Sequence, residues 1–114
     1  MATLTLQVVD FALLTPTYAA AAGGGDAVAP GGAKCIFHFK NASGSTWVVT
    51  VNDPTSISPA NALAFDPDIS FSIPNAAERM FLLDPIRFTN PANGLIEWTY
   101  SGVTSLTVGV FKPA

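Results

Sequence analysis

Residues Lys34–Val51 read KCIFHFKNASGSTWVVTV. In an extended chain Cys35, Phe37 and Phe39 fall on one face, and Ile36 and His38 on the other. Thr46–Val51 is rich in β-branched and aromatic residues, which suit a pleated surface. Asn41-Ala42-Ser43-Gly44-Ser45 between the two runs is turn chemistry, so the runs are expected to pair as a β-hairpin.

Working outward, alternation recurs on both sides. Upstream, Thr3–Val9 (TLTLQVV) puts Leu4, Leu6 and Val8 on one face. Downstream, Ile69–Ile73 (ISFSI) alternates cleanly, Arg79–Leu83 is short and apolar, and Ile86–Thr89 is a marginal strand. Leu95–Tyr100 and Leu106–Phe111 flank Ser101–Ser105 as a second expected hairpin. Nine Pro and nine Gly punctuate the chain, and no amphipathic helical run survives them. Asn75–Glu78 allows a single turn. Asp53–Asp68 carries Pro54, Pro59 and Pro67 and suits a crossover between sheets. About seven or eight short strands with regular turn signals predict an all-β fold. The expected architecture is an antiparallel β-sandwich of jelly-roll or Greek-key type. Within one domain overall, 1–33 is an N-terminal strand and extended Ala/Gly-rich arm, and 34–114 is the sandwich core. The predicted core is Leu6, Val8, Phe37, Phe39, Trp47, Val49, Val51, Phe71, Ile73, Phe81, Phe88, Ile96, Trp98, Tyr100, Val108 and Val110.

Composition narrows the function classes. Only 11% of residues are charged, against about 25% in typical domains, while 49% are hydrophobic and mean hydropathy is +0.40. No apolar run reaches the ~18 residues of a membrane span. So little charge points to apolar surface that a partner covers. The net charge of −3 and five scattered cations argue against nucleic acid and against an anionic membrane. One cysteine excludes an intrachain disulfide. No Lys or Arg precedes Lys34, and Asp10 interrupts the first apolar segment, so no signal peptide is expected and synthesis is placed in the cytoplasm.

No catalytic, cofactor or metal motif emerges. His38 and Cys35 lie on opposite strand faces, which separates a nucleophile from its base, and together they are too few for zinc. His38 therefore reads as structural or as a surface residue. Asp66-Pro67-Asp68 and Asp84 read as turn initiators; whether they hold an ion stays open. Glu78 and Glu97 have no motif to support an acid–base pair. Asn41-Ala42-Ser43 matches a glycosylation sequon but reads as a turn. Arg79 and Arg87 should each have a fixed acid, from Asp84, Glu78 or Glu97, or from another subunit.

Three segments carry a resemblance: LLTPTYAAAAGGGDAVAPGGAKCIFHFKNASGSTWVVTV (Leu13–Val51), FLLDPIRFTNPANGLIEWTY (Phe81–Tyr100) and SGVTSLTVGVFK (Ser101–Lys112). Together they resemble a family of small proteins encoded near the capsid genes of tailed bacteriophages. In that family a TPTY-A-A-A-GGD stretch precedes a strand ending in KN, and DP-RF, G and TYS-V-S-TV elements close the chain. Asp53–Ala77 has no matching feature. The resemblance implies a non-enzymatic virion protein without cofactors, a head decoration (cement) protein on the outer capsid surface. Its partners would be the major capsid protein and itself, as a homotrimer or other small homo-oligomer. A connector, head-completion or tail-tube subunit is the alternative within the virion. A carbohydrate-binding β-sandwich module that attaches the virion to host glycans is the other alternative, and it needs Trp47, Trp98 or Tyr100 exposed. Leu13, Leu14, Pro16 and Tyr18 are the expected contact residues, because apolar groups on an arm have little other use. Tyr18–Lys34 (YAAAAGGGDAVAPGGAK) is expected to be mobile in a free subunit and ordered by contact, since its small side chains cannot offset the ordering entropy.

Overall fold

A computed structural model describes residues 2–10, 13–54 and 68–113. The chain is all-β, with two mixed sheets packed against each other as in a β-sandwich. The N-terminal part supplies β1 (Ala2–Leu4), β2 (Gln7–Val9), β3 (Ala19–Ala20) and β4 (Asp26–Val28). Then come β5 (Cys35–Asn41), β6 (Trp47–Val51), β7 (Ile69–Ile73) and β8 (Glu78–Leu83). A single helical turn α1 (Pro85–Phe88) leads to β9 (Thr89–Asn90), β10 (Leu95–Tyr100) and β11 (Leu106–Pro113). The first sheet runs β1-β4-β10-β6-β7, with β9 also on β10; the second runs β2-β11-β5-β8, with β3 also on β11.

The sequence predicts purely antiparallel pairing, but both sheets are mixed. β1 pairs with β4 in parallel, and β2 pairs with β11 in parallel. Thr3–Val9 is not one strand either: the chain changes sheets at Thr5–Leu6, so its two halves serve different layers. That break shifts the inward phase. Leu4 and Leu6 still pack on the core, but Val8 is exposed, against its expected place inside.

Neither expected hairpin forms. β5 lies in the second sheet and β6 in the first, and β10 and β11 are likewise split. Each pair is an arch that crosses the sandwich. Alternation cannot separate the two arrangements, because in both the apolar faces of the two strands end inside. The turn chemistry decides. Asn41 is buried, and its amide donates to the carbonyls of Ser45 (2.8 Å) and, across in the first sheet, Ile73 (2.9 Å). Its Oδ1 accepts from the Ser43 amide and hydroxyl. Turning the chain out of the sheet plane satisfies this buried amide fully. Both of its hydrogens are thus taken, which leaves the sequon as a structural turn. At the second arch the Trp47 ring lies over Gly102, where a Cβ would sit 2.2 Å from the ring, and its Nε1–H donates to Thr104 O (3.0 Å).

Ile86–Thr89 is helical rather than extended over most of its length. Asp84 caps α1 by accepting from Ile86 N (2.9 Å), and Pro85 opens it with a preset φ.

The interior is aromatic. Phe81 stacks against Phe37, Phe39 and Phe71, the last at 4.1 Å between centroids, and Trp98 meets Phe37 edge-on at 5.1 Å. Val49, Val51, Ile73, Ile96, Val108 and Val110 fill the remainder. The Ala/Gly-rich stretch is part of this body and not a free connection. Ala19–Ala20 pairs with β11, and Asp26, Ala27 and Val28 are fully buried beside β10. What orders it is polar. Asp26 Oδ2 accepts the Tyr100 hydroxyl (2.5 Å), which itself accepts Trp98 Nε1–H (2.7 Å). Burial, and then the bond to Asp26, push the Tyr100 phenol far above its ordinary range.

Candidate functional site

The outer faces of the two sheets differ in kind. On the first sheet the register brings Thr99, Thr50 and Ser70 into one outer row, with Val48 and Ser72 beside them and Glu97 and Thr3 on either side of buried Ala27. Most of these are small or polar groups that water satisfies, and Thr50 and Ser70 also bond each other at 3.1 Å. On the second sheet the rows are Phe111–Ile36–Leu82, Gly109–His38–Met80 and Thr107–Lys40–Glu78. The first row is apolar throughout and Met80 adds to it, so this sheet carries an apolar strip on its outer face beside a polar one.

Residues 13–18 cross that face as a strap. Gln7 fixes the strap by bonding Thr17 twice, Nε2–H to the carbonyl (2.8 Å) and Oε1 from the amide (2.9 Å). Gly109 makes room beneath it: a Cβ there would stand 3.1 Å from the Thr17 carbonyl oxygen and 3.0 Å from the Phe111 ring. Tyr18 then lies edge-on to Phe111 (5.9 Å) and His38 (5.3 Å), with Lys40 Nζ 4.0 Å above its ring centre. Its hydroxyl meets His38 Nδ1 at 2.7 Å, and His38 Nε2 meets Glu78 Oε1 at 2.9 Å. In a neutral ring both contacts are satisfied with the proton on Nε2, which donates to Glu78 while Nδ1 accepts from Tyr18. A hydroxyl–imidazole–carboxylate chain thus clasps the strap to β5 and β8.

The strap covers only part of the face. Between it and β8 lies a groove of about 400 Å³, with Leu13, Leu14, Pro16 and Tyr18 on one wall and Ile36, His38 and Met80 below. The structure therefore brings all four sequence-predicted contact residues to one site. They do not play one part: Tyr18 is half-buried and holds the strap, whereas Leu13, Leu14 and Pro16 are exposed. Met80 (62%) and Leu82 (59%) extend the exposed apolar surface along β8, the edge strand of its sheet.

Sequence reasoning missed His38, Glu78, Met80 and Leu82 as site residues. A signal was present: Cys35-Ile36-Phe37 and Met80-Phe81-Leu82-Leu83 are apolar in both phases, the mark of a strand meant to be covered on both faces.

The other candidates are placed elsewhere. Cys35 faces inward, away from His38, and burial pushes its thiol above the ordinary value, with Lys112 opposing in part. Asp68 accepts from Asp53 N (2.8 Å), Asp84 caps α1, and Asp66 lies outside the described residues. Arg87 pairs with buried Asp53 at 2.8 Å, not with any of the three acids expected, and Arg79 donates to the Glu78 carbonyl. Trp98 is buried, the Tyr100 hydroxyl is committed to Asp26, and Trp47 lies over Gly102. Those three rings do not form an open stacking platform for a sugar.

No family model, curated protein or solved structure matches this chain.

Proposed function

We propose that this chain is a virion structural subunit of a tailed bacteriophage, a decoration protein that binds the outside of the assembled head and cements it without catalysis. The resemblance of Leu13–Val51 and Phe81–Lys112 to proteins encoded near phage capsid genes supplies the setting. One structural observation carries the reading: the second sheet has an apolar strip of Ile36, Met80 and Leu82 on its outer face, and its own strap covers only part of it. A contiguous apolar surface of this kind marks a contact with a partner. Binding across capsomer junctions would stabilise the shell, because only the assembled state offers the composite site, and many copies add avidity to weak single contacts. The polar chain Tyr18–His38–Glu78 acts as a clasp that presents Leu13 and Leu14, with no chemistry of its own. The finer fold expectation, a jelly-roll or Greek-key path, draws support from β5/β6, β7/β8 and β10/β11, neighbours in sequence that lie in opposite sheets.

Cryo-electron microscopy of the phage particles tests the role. Decoration predicts density for many copies over the whole shell. A six- or twelve-fold ring on the tail axis would replace this reading with that of a connector or tail subunit. Absence from the particle would end both.

A further inference from the structure

We propose that Asn93 is a site of spontaneous covalent modification: the Gly94 backbone nitrogen attacks the Asn93 side-chain amide, and water converts the product to aspartate and isoaspartate. Asn93 is the only asparagine of the chain that is followed by glycine. The attacking nitrogen belongs to the next residue, and a side chain there would crowd the attack. Gly94 has none, and no atom lies within 4 Å of where its Cβ would stand. Both residues are exposed, so water reaches the site. The other asparagines lack this combination. Asn41 is buried with both amide hydrogens taken, and Asn90 precedes Pro91, which has no N–H to lose.

The turn between β9 and β10 holds the amide in place. Leu95 N–H donates to Asn93 Oδ1 (3.0 Å), which closes a ring that contains the Gly94 nitrogen and keeps Cγ on its side. The same N–H faces the oxygen on which charge develops during the attack. Asn93 Nδ2–H is held by Glu97 Oε1 (2.9 Å). Gly94 N–H donates to Asn90 O (2.7 Å), and this bond opens before the nitrogen attacks. In the step itself the Gly94 N–Cγ bond forms, the Cγ–Nδ2 bond breaks, and ammonia leaves with the Gly94 proton. Water then opens the cyclic succinimide. Opening at the side-chain carbonyl gives isoaspartate's partner product, aspartate, when the new acid stays on Cγ, and opening at the main-chain carbonyl gives isoaspartate. Either product puts a carboxylate where Glu97 now has a donor, and the two repel. Isoaspartate also lengthens the main chain by one carbon inside the turn that the Asn90–Leu95 pairing closes.

Incubation of the purified full chain in mildly alkaline buffer tests the proposal, read by peptide mass spectrometry and by isoaspartate-specific methyltransferase labelling. A portion unfolded in guanidinium is the reference. The native chain is expected to show the mass shift of an NH₂-to-OH exchange at Asn93 before any other asparagine, with the label on the same peptide. Reaction at Asn93 in the unfolded chain but not in the native one would overturn the proposal, because the fold would then protect the amide. Faster reaction at another asparagine of the native chain would overturn it too. Asn93→Asp reproduces one product, and should speed amide exchange in residues 90–97 while β5 and β11 keep theirs. Wild-type exchange in that variant would overturn the effect on the turn. The chemistry needs no partner, so no outcome here bears on the decoration role.

Discussion

The two sheets share one interior and face outward in opposite ways. Thr50, Ser70, Ser72 and Thr99 give the first sheet an outer surface that water can satisfy. Ile36, Met80 and Leu82 give the second an apolar strip beside the polar row of Thr107, Lys40 and Glu78, and residues 13–18 fold back over only part of that strip. On the proposed reading, a partner completes the third layer that the strap begins.

The comparison can be broken from the inside outward. The largest effect belongs to the shared core. Phe37→Ala removes a fully buried ring that stacks on Phe81 and meets Trp98, and should cost about 3–5 kcal/mol in chemical denaturation. Both sheets should lose cooperativity together; survival of either alone would mean that they do not depend on one core.

Next comes the polar joint beneath the Ala/Gly-rich stretch. Tyr100→Phe strips the buried Asp26 carboxylate of its hydroxyl donor and should cost about 1.5–3 kcal/mol. It should also change the pH dependence. In the unfolded chain Tyr100 releases its proton near its ordinary 10.0, whereas the folded chain holds the proton to higher pH. That contribution is complete below pH 10 and is lost as pH rises above it. Cys35, raised from 9.0, acts in the same direction and begins earlier. Melting curves from pH 8 upward should therefore fall less steeply for Tyr100→Phe than for the wild type. Equal slopes would show that this phenol is not held neutral by the fold.

The clasp is smaller. Tyr18→Phe keeps the ring on Phe111 and under Lys40 but loses the bond to His38, a net effect of about 0.5–1.5 kcal/mol. The readout should be local, as faster amide exchange in residues 13–18 with the core strands unchanged. The smallest effects should come from the first sheet's outer face: Ser72→Asp should alter stability by no more than about 0.5 kcal/mol and leave association alone.

Much of this was legible in the sequence. ISFSI alternates cleanly, and β7 is the strand that it describes, with Phe71 and Ile73 inward and both serines outward. Leu13, Leu14, Pro16 and Tyr18, singled out as apolar residues on an arm, line one groove, and their contact with a partner is part of the proposal. What escaped was pairing. Alternation states which side chains face inward, not which strand lies alongside, so two arches read as hairpins until Asn41 and Trp47 were seen to turn the chain across the sandwich. The pairing of the Ala/Gly-rich stretch is not legible in its composition, because Asp26 meets Tyr100 and Trp98 more than 70 residues away. The apolar outer face was written in Met80-Phe81-Leu82-Leu83, where hydrophobic groups occupy both phases.

Hydroxyl-radical footprinting of the chain, dilute and then mixed with the proposed phage heads, tests the central claim most directly. It reports side-chain exposure on each outer face in one experiment. The account predicts that Leu13, Met80 and Leu82 lose reactivity on assembly while side chains on the first sheet's outer face, Val48 among them, keep theirs. Protection of the first sheet, with Met80 as reactive as before, would contradict it.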